Sequence, residues 1–151
     1  MDSWMHEDYY SNISEEEWFE LLKDPDIFNE NSLIVMKCFL DSDGKATCKE
    51  LEETYGRTHN FYNMTSSNLG ERVHKKTGCP LVEEPPSRRS KSGNRFWPIL
   101  YDGKYTEDKE HFIWRLRPEL KSALTSMIIT KIETLQLQRS GASNSPPVES
   151  T

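Results

Sequence analysis

The chain has 151 residues, a length that suits one domain of ordinary size. Hydrophobic residues make up 34% and aromatic residues 11%, which excludes a disordered chain and predicts a polar globular domain with a small aromatic core. The formal net charge is −6, and the lack of any apolar run near the ~20 residues of a bilayer span excludes a transmembrane helix.

The N-terminal sequence and the cysteines both favour a cytoplasmic protein. Residues 1–10 lack the basic start and apolar stretch of a signal peptide. Cys38, Cys48 and Cys79 are odd in number, and their spacings match neither a zinc site nor a disulfide framework, so we expect reduced thiols. We expect no membrane partner, metal or cofactor.

The charge is unevenly distributed along the chain. Residues 1–30 hold one basic and ten acidic residues, whereas residues 57–101 hold eight basic and three acidic ones. An acidic protein repels nucleic acid at long range, but a local basic stretch can still form a contact face. We predict an acidic N-terminal helical extension over residues 1–30, a domain over residues 31–138 and a flexible tail over residues 139–151.

Capping signals predict the first helix. Ser14 followed by Glu17 forms a capping box, so we expect a helix over residues 14–23. Acidic residues in the first turn suit the helix dipole, which is the simplest explanation of this cluster. The alternative is a surface that binds a protein partner, made of Glu15, Glu16 and Glu20.

Helical spacing of apolar residues predicts four more helices. They cover residues 31–40, two turns between Thr47 and Gly56, residues 60–76, and residues 118–138. Thr47 and Glu50 form a second capping box, and Pro118 suits the first position of the last helix.

A change to a period of two predicts one β-hairpin. Its strands are expected over residues 95–101 and 111–117, with Pro98 placing the first strand at a sheet edge. In the second strand, Arg115 and Arg117 are expected to point outward. The apolar-free residues 83–94 are predicted to form an exposed basic loop.

Two helices joined by a tight turn and followed by a hairpin predict an α+β fold of the winged helix-turn-helix type, with about five helices and one β-hairpin. In that layout the second helix of the pair enters the major groove. Winged helices also serve as protein docking modules, so both partner classes stay open.

The predicted DNA contacts lie on the fourth helix, on the turn before it and in the basic loop. Asn and Arg can read base edges, while Ser and Lys suit phosphates. The candidates are Arg57, Asn60, Asn63, Ser66, Ser67, Asn68, Arg72, Lys75, Lys76, Arg88, Arg89 and Lys91.

Signals for catalysis or metal binding are weak. The chain contains no phosphate-binding loop, dinucleotide fingerprint, HExxH or CxxC motif. Asp41, Asp43 and Glu50 have partial EF-hand spacing, but the first ligand position falls on Phe39, which cannot coordinate calcium. We expect a protein that is not an enzyme.

Several segments resemble a module of bacterial McrB-type AAA+ restriction proteins. They include GKATCKEL at residues 44–51, FWPILY at 96–101 and WRLRPELKSAL at 114–124, together with residues 55–56, 60–63, 66–73 and 76–81. The resemblance covers roughly residues 27–125 and implies a free-standing DNA-binding or specificity module from a bacterial or phage restriction-defence setting, without the motor and nuclease of the larger proteins.

The expected partner is therefore duplex DNA. The alternative is a protein-interaction module that inhibits a nucleic-acid-targeting defence complex, of the anti-restriction or anti-CRISPR type, through its acidic N-terminal segment.

Overall fold

The computed structural model of the chain describes residues 4–84 and 94–144. This part of the chain is α+β, with five α-helices and a three-stranded antiparallel sheet. The helices are α1 (Glu15–Leu22), α2 (Glu30–Asp41), α3 (Cys48–Tyr55), α4 (His59–Thr77) and α5 (Pro118–Asn144). The strands are β1 (Lys45–Thr47), β2 (Val82–Glu83), β3 (Asn94–Arg95), β4 (Tyr101–Tyr105) and β5 (Phe112–Leu116).

The predicted helix starts are confirmed. Ser14 and Glu17 form the capping box of α1, and Thr47 and Glu50 form that of α3. Helix α4 begins after Thr58, whose side chain accepts a hydrogen bond from a backbone N–H of the first turn. Helix α5 continues past its predicted end near residue 138, and residues 145–151 of the predicted tail lie outside the described residues.

The first predicted strand, over residues 95–101, is wrong. A 3-10 turn occupies Trp97–Ile99, and the strand that forms the hairpin with β5 is β4. Because proline has a fixed φ and no N–H, Pro98 suits the start of a helical turn better than a ladder position. Gly103, which follows the predicted strand in sequence, lies in β4, where a Cβ would collide with the Phe112 ring, so the position requires glycine.

The sheet includes a strand that the sequence did not indicate. Its order is β1-β5-β4, with Ala46 opposite Trp114 and Trp114 opposite Gly103. At the β4 edge, the backbones of Met5 and Gly103 form an additional antiparallel bridge. Strands β2 and β3 form a separate two-stranded ladder.

The core draws on every large element of the described chain. Among the largest fully buried side chains are Phe39, Tyr62, Tyr101 and Leu120. The acidic extension belongs to the same core through the buried side chains of Ile13, Trp18, Leu21, Leu22, Ile27 and Phe28. The strongly acidic segment is therefore also structural, because these six apolar residues are buried while Glu15, Glu16, Glu17 and Glu20 remain exposed.

Candidate nucleic-acid interface

Helix α4 has one buried face and one solvent-facing face. Its buried residues include Tyr62, Leu69 and Val73. On the opposite side, six residues fall within about 100° of arc, given 3.6 residues per turn. We call these six the α4 outer face: Asn60, Met64, Ser67, Asn68, Glu71 and Lys75. All are exposed except Glu71, which is half-buried.

Gly70 fixes how closely α4 approaches the 3-10 turn. A Cβ at this position would collide with the backbone carbonyl of Phe96. The absence of a side chain therefore allows the helix to lie directly against residues 96–99, which fixes the direction in which the α4 outer face points.

The charges on and beside the α4 outer face are mixed. Lys75 Nζ lies 3.2 Å from Glu71 Oε2, an exposed i,i+4 pair. Lys76 is exposed in the last turn of α4, away from this face. At the turn before α4, the exposed guanidinium of Arg57 stacks 4.5 Å from the centre of the Phe61 ring. Neither Arg57 nor Lys76 is buried by these contacts, so both can reach an anionic partner.

Three predicted contact residues point into the protein instead. Ser66 is 1% exposed, and its hydroxyl lies 2.8 Å from the Tyr101 hydroxyl. Arg72 donates hydrogen bonds to the Ile27 carbonyl at 2.8 Å and to Ser32 Oγ at 2.7 Å, and burial lowers its pKa. Because these groups are already bonded internally, we leave Ser66 and Arg72 out of the interface.

Asn63 is the third residue of this kind. It is half-buried, and its Oδ1 accepts a hydrogen bond from Cys48 Sγ at 3.7 Å. Burial raises the pKa of the Cys48 thiol to about 11. Cys38, Cys48 and Cys79 are all free thiols. Asn63 thus links α4 to α3, and we leave it out of the interface as well.

Residues 85–93 of the predicted basic loop lie outside the described residues, and its two ends, Glu83 and Asn94, pair in the ladder of β2 and β3. Arg88, Arg89 and Lys91 lie outside the described residues. Their predicted role as DNA contacts stays a prediction.

Of the two arginines expected to point outward, Arg115 in β5 stays partly exposed, whereas the expectation is wrong for Arg117, just after β5, because that side chain is buried. Arg115 forms a two-pronged pair with Asp102, at 2.9 and 2.6 Å, and the Trp4 ring lies 3.9 Å from its guanidinium. Arg117 is 8% exposed and donates two hydrogen bonds, of 3.0 and 2.7 Å, to the Pro98 carbonyl. Both arginines lie on the side opposite the apolar face, as predicted, and the rings of Trp4 and Tyr9 contact their guanidinium groups there.

The residues of the alternative protein-binding surface are accessible. Glu15, Glu16 and Glu20 are exposed on α1. Glu20 pairs with Lys23 at 2.8 Å, whereas Glu17 is used by the capping box. The structure thus leaves these three carboxylates at the surface, beside the caps and core contacts that hold α1.

Two residues of the α4 outer face, Met64 and Glu71, were missed by sequence reasoning, and Glu71 lies four residues from both Ser67 and Lys75. Met64 is 53% exposed and lies one turn from Asn60 and one turn from Asn68. The spacing of four residues on each side places it on their face, which is the signal that could have identified it.

The described residues offer no metal site and no membrane span. Within residues 4–84 and 94–144, no group of three His, Cys, Asp or Glu side chains could hold a metal ion. No helix in these ranges is long and apolar enough to cross a bilayer.

Comparison of the chain with known protein families, curated proteins and solved structures found no match. The resemblance to McrB-type modules therefore stays a prediction.

Proposed function

We propose that this protein is a non-catalytic DNA-binding module of the winged helix-turn-helix type, which places the α4 outer face in the major groove of duplex DNA. The observation that carries the proposal is an exposed polar helix face that follows directly on a short turn from α3. The element order α2-β1-α3-α4-β4-β5 and the sheet order β1-β5-β4 support this type of fold.

The side chains of this face suit both kinds of DNA contact. Asn60 and Asn68 carry amides that can bond to base edges, and Ser67 can bond to a phosphate. Arg57, Lys75 and Lys76 supply positive charge at the turn and at the C-terminal half of α4. We therefore assign contacts with the bases to the helix face, and contacts with the phosphate backbone to Arg57, Lys75 and Lys76.

The hairpin is not assigned a role in binding the backbone. Its tip carries Glu107, Asp108 and Glu110 against a single Lys109, and these residues are exposed. Negative charge there opposes contact with phosphates. The proposal therefore rests on α4, with the basic residues Arg88, Arg89 and Lys91 as further predicted contacts.

The McrB-type resemblance motivates the biological setting. We propose a cytoplasmic role in bacterial or phage restriction and defence, in which this module supplies DNA recognition. The protein-docking alternative through Glu15, Glu16 and Glu20 makes the opposite prediction for DNA, since an acidic surface does not bind it.

A salt titration of duplex binding tests the proposal. Fluorescence anisotropy with a labelled duplex should give an affinity that falls with salt, with a log–log slope of about −0.9 per neutralised phosphate. Replacing Lys75 by Ala should weaken binding and reduce that slope by about one.

Lys37 provides a matched control. It is an exposed lysine on α2 that forms an i,i+4 pair with Asp41, as Lys75 does with Glu71. Lys37→Ala should leave both affinity and slope unchanged. Equal effects of the two substitutions, or no salt-dependent binding by the parent, would contradict the proposal.

A further inference from the structure

The centre of the α4 outer face is apolar. Met64 is 53% exposed, and three of its four nearest neighbours along the helix surface are polar, namely Asn60, Ser67 and Asn68, while the fourth is the half-buried Phe61. A surface methionine neither caps the helix nor fills the core, so neither the local structure nor the packing requires it at this position.

Two asparagines flank Met64 along the helix axis. Positions 60, 64 and 68 repeat every four residues, so successive side chains are about 6 Å apart along the axis. That distance corresponds to roughly two base-pair steps of ~3.4 Å. The Nδ2 of Asn60 lies 3.2 Å from the sulfur of Met64, so the amide and the thioether are adjacent at the surface.

This arrangement matches one kind of base pair. In the major groove, adenine offers N7 and its 6-amino group, which an asparagine amide can bond with two hydrogen bonds. Thymine offers a carbonyl oxygen and an apolar C5-methyl group, which favours contact with an apolar side chain. A G·C pair has no such methyl group.

We propose that Met64 is a specificity-determining residue that packs against the C5-methyl group of thymine, with Asn60 and Asn68 beside it to read adenine. The inference rests on the proposed function, because it presumes that the α4 outer face lies in the major groove. The inference adds to that function the class of DNA target, which is a site rich in A·T pairs.

Uracil substitution tests the contact directly. Uracil pairs with adenine as thymine does but lacks the C5-methyl group, so two otherwise identical A·T duplexes can be compared. The parent protein should bind the thymine duplex about three- to five-fold more tightly than the uracil duplex, which is the size expected for one buried methyl group. An alternating G·C duplex should bind more weakly than either.

Substitutions of Met64 test whether the preference for thymine over uracil depends on this side chain. Met64→Ala should bind the thymine and uracil duplexes equally, whereas Met64→Leu should keep part of the preference. Ile129 on α5 is 51% exposed, so Ile129→Ala is a control that removes a similarly exposed apolar side chain elsewhere. That variant should discriminate as the parent does.

The outcomes separate this inference from the proposed function. Salt-dependent binding with equal affinity for the thymine and uracil duplexes would overturn the role of Met64 and leave the DNA-binding proposal standing. A preference for thymine that persists in Met64→Ala would also overturn it. Failure to bind any of the three duplexes would overturn the DNA-binding proposal, and this inference with it.

Discussion

Helix α4 carries many polar side chains, whereas β5 and the residue just after it carry two arginines, and the fold uses the two regions in opposite ways. On α4, the residues opposite the core remain at the surface, with Lys75 in an exposed pair. On β5 and just after it, Arg115 and Arg117 are bonded to Asp102 and to the Pro98 carbonyl. A polar face is available to a partner only where no other part of the chain covers it.

Replacing the buried Arg117 should have the largest effect, a loss of stability. Arg117→Ala removes two charged hydrogen bonds from a buried site, and it leaves the Pro98 carbonyl without that donor. We expect the free energy of unfolding to fall by about 2–4 kcal/mol, measured by urea denaturation. Lys109→Ala, in the exposed hairpin tip, should change it by less than about 0.5 kcal/mol. If Arg117→Ala matched that control, Arg117 would be surface-exposed and available to DNA.

Neighbouring serines on α4 offer a sharper test within one helix. Ser66→Ala leaves the fully buried Tyr101 hydroxyl without its partner, so we expect a loss of about 1–2 kcal/mol in the free energy of unfolding. Ser67→Ala should change stability by less than about 0.5 kcal/mol and weaken duplex binding instead. For both variants, urea denaturation measures the free energy of unfolding and fluorescence anisotropy measures the affinity for the duplex. Reversed effects would mean that α4 is rotated about its axis relative to the structure described above.

Removing negative charge from the α4 outer face should have the smallest effect. Glu71 lies among the proposed contact residues and repels phosphates, so Glu71→Gln should tighten duplex binding about two- to five-fold at low salt, the size of one exposed charge interaction. Glu16→Gln is the control, because it removes the same charge from α1, away from the face. An equal gain from both variants would indicate a general effect of net charge and no role for the α4 outer face.

The helices could be predicted because their signals are local. A capping box needs only two residues three positions apart, and Ser14 and Thr47 both begin helices where the sequence places them. The strand at β4 could not be predicted in the same way. The apolar run at residues 96–100 contains a 3-10 turn instead, and the strand begins at Tyr101 and includes Gly103, whose missing side chain leaves room for the Phe112 ring.

The candidate site was predicted in part for the same reason. Helical periodicity groups Asn60, Ser67, Asn68 and Lys75 on one face, which is a local property. Whether Arg72 binds a partner or the protein itself depends on Ile27 and Ser32, which come from distant parts of the sequence. No pattern within α4 carries that information.

The backbone bridge between Met5 and Gly103 has a consequence for solubility. Strand β4 is an outer strand of the sheet, and an unpaired outer strand offers its N–H and C=O groups to the same strand of another molecule. Met5 occupies the backbone groups of Gly103 and so covers the middle of that edge. Removing residues 1–12 should therefore leave β4 open to strand exchange between molecules and promote aggregation that increases with protein concentration.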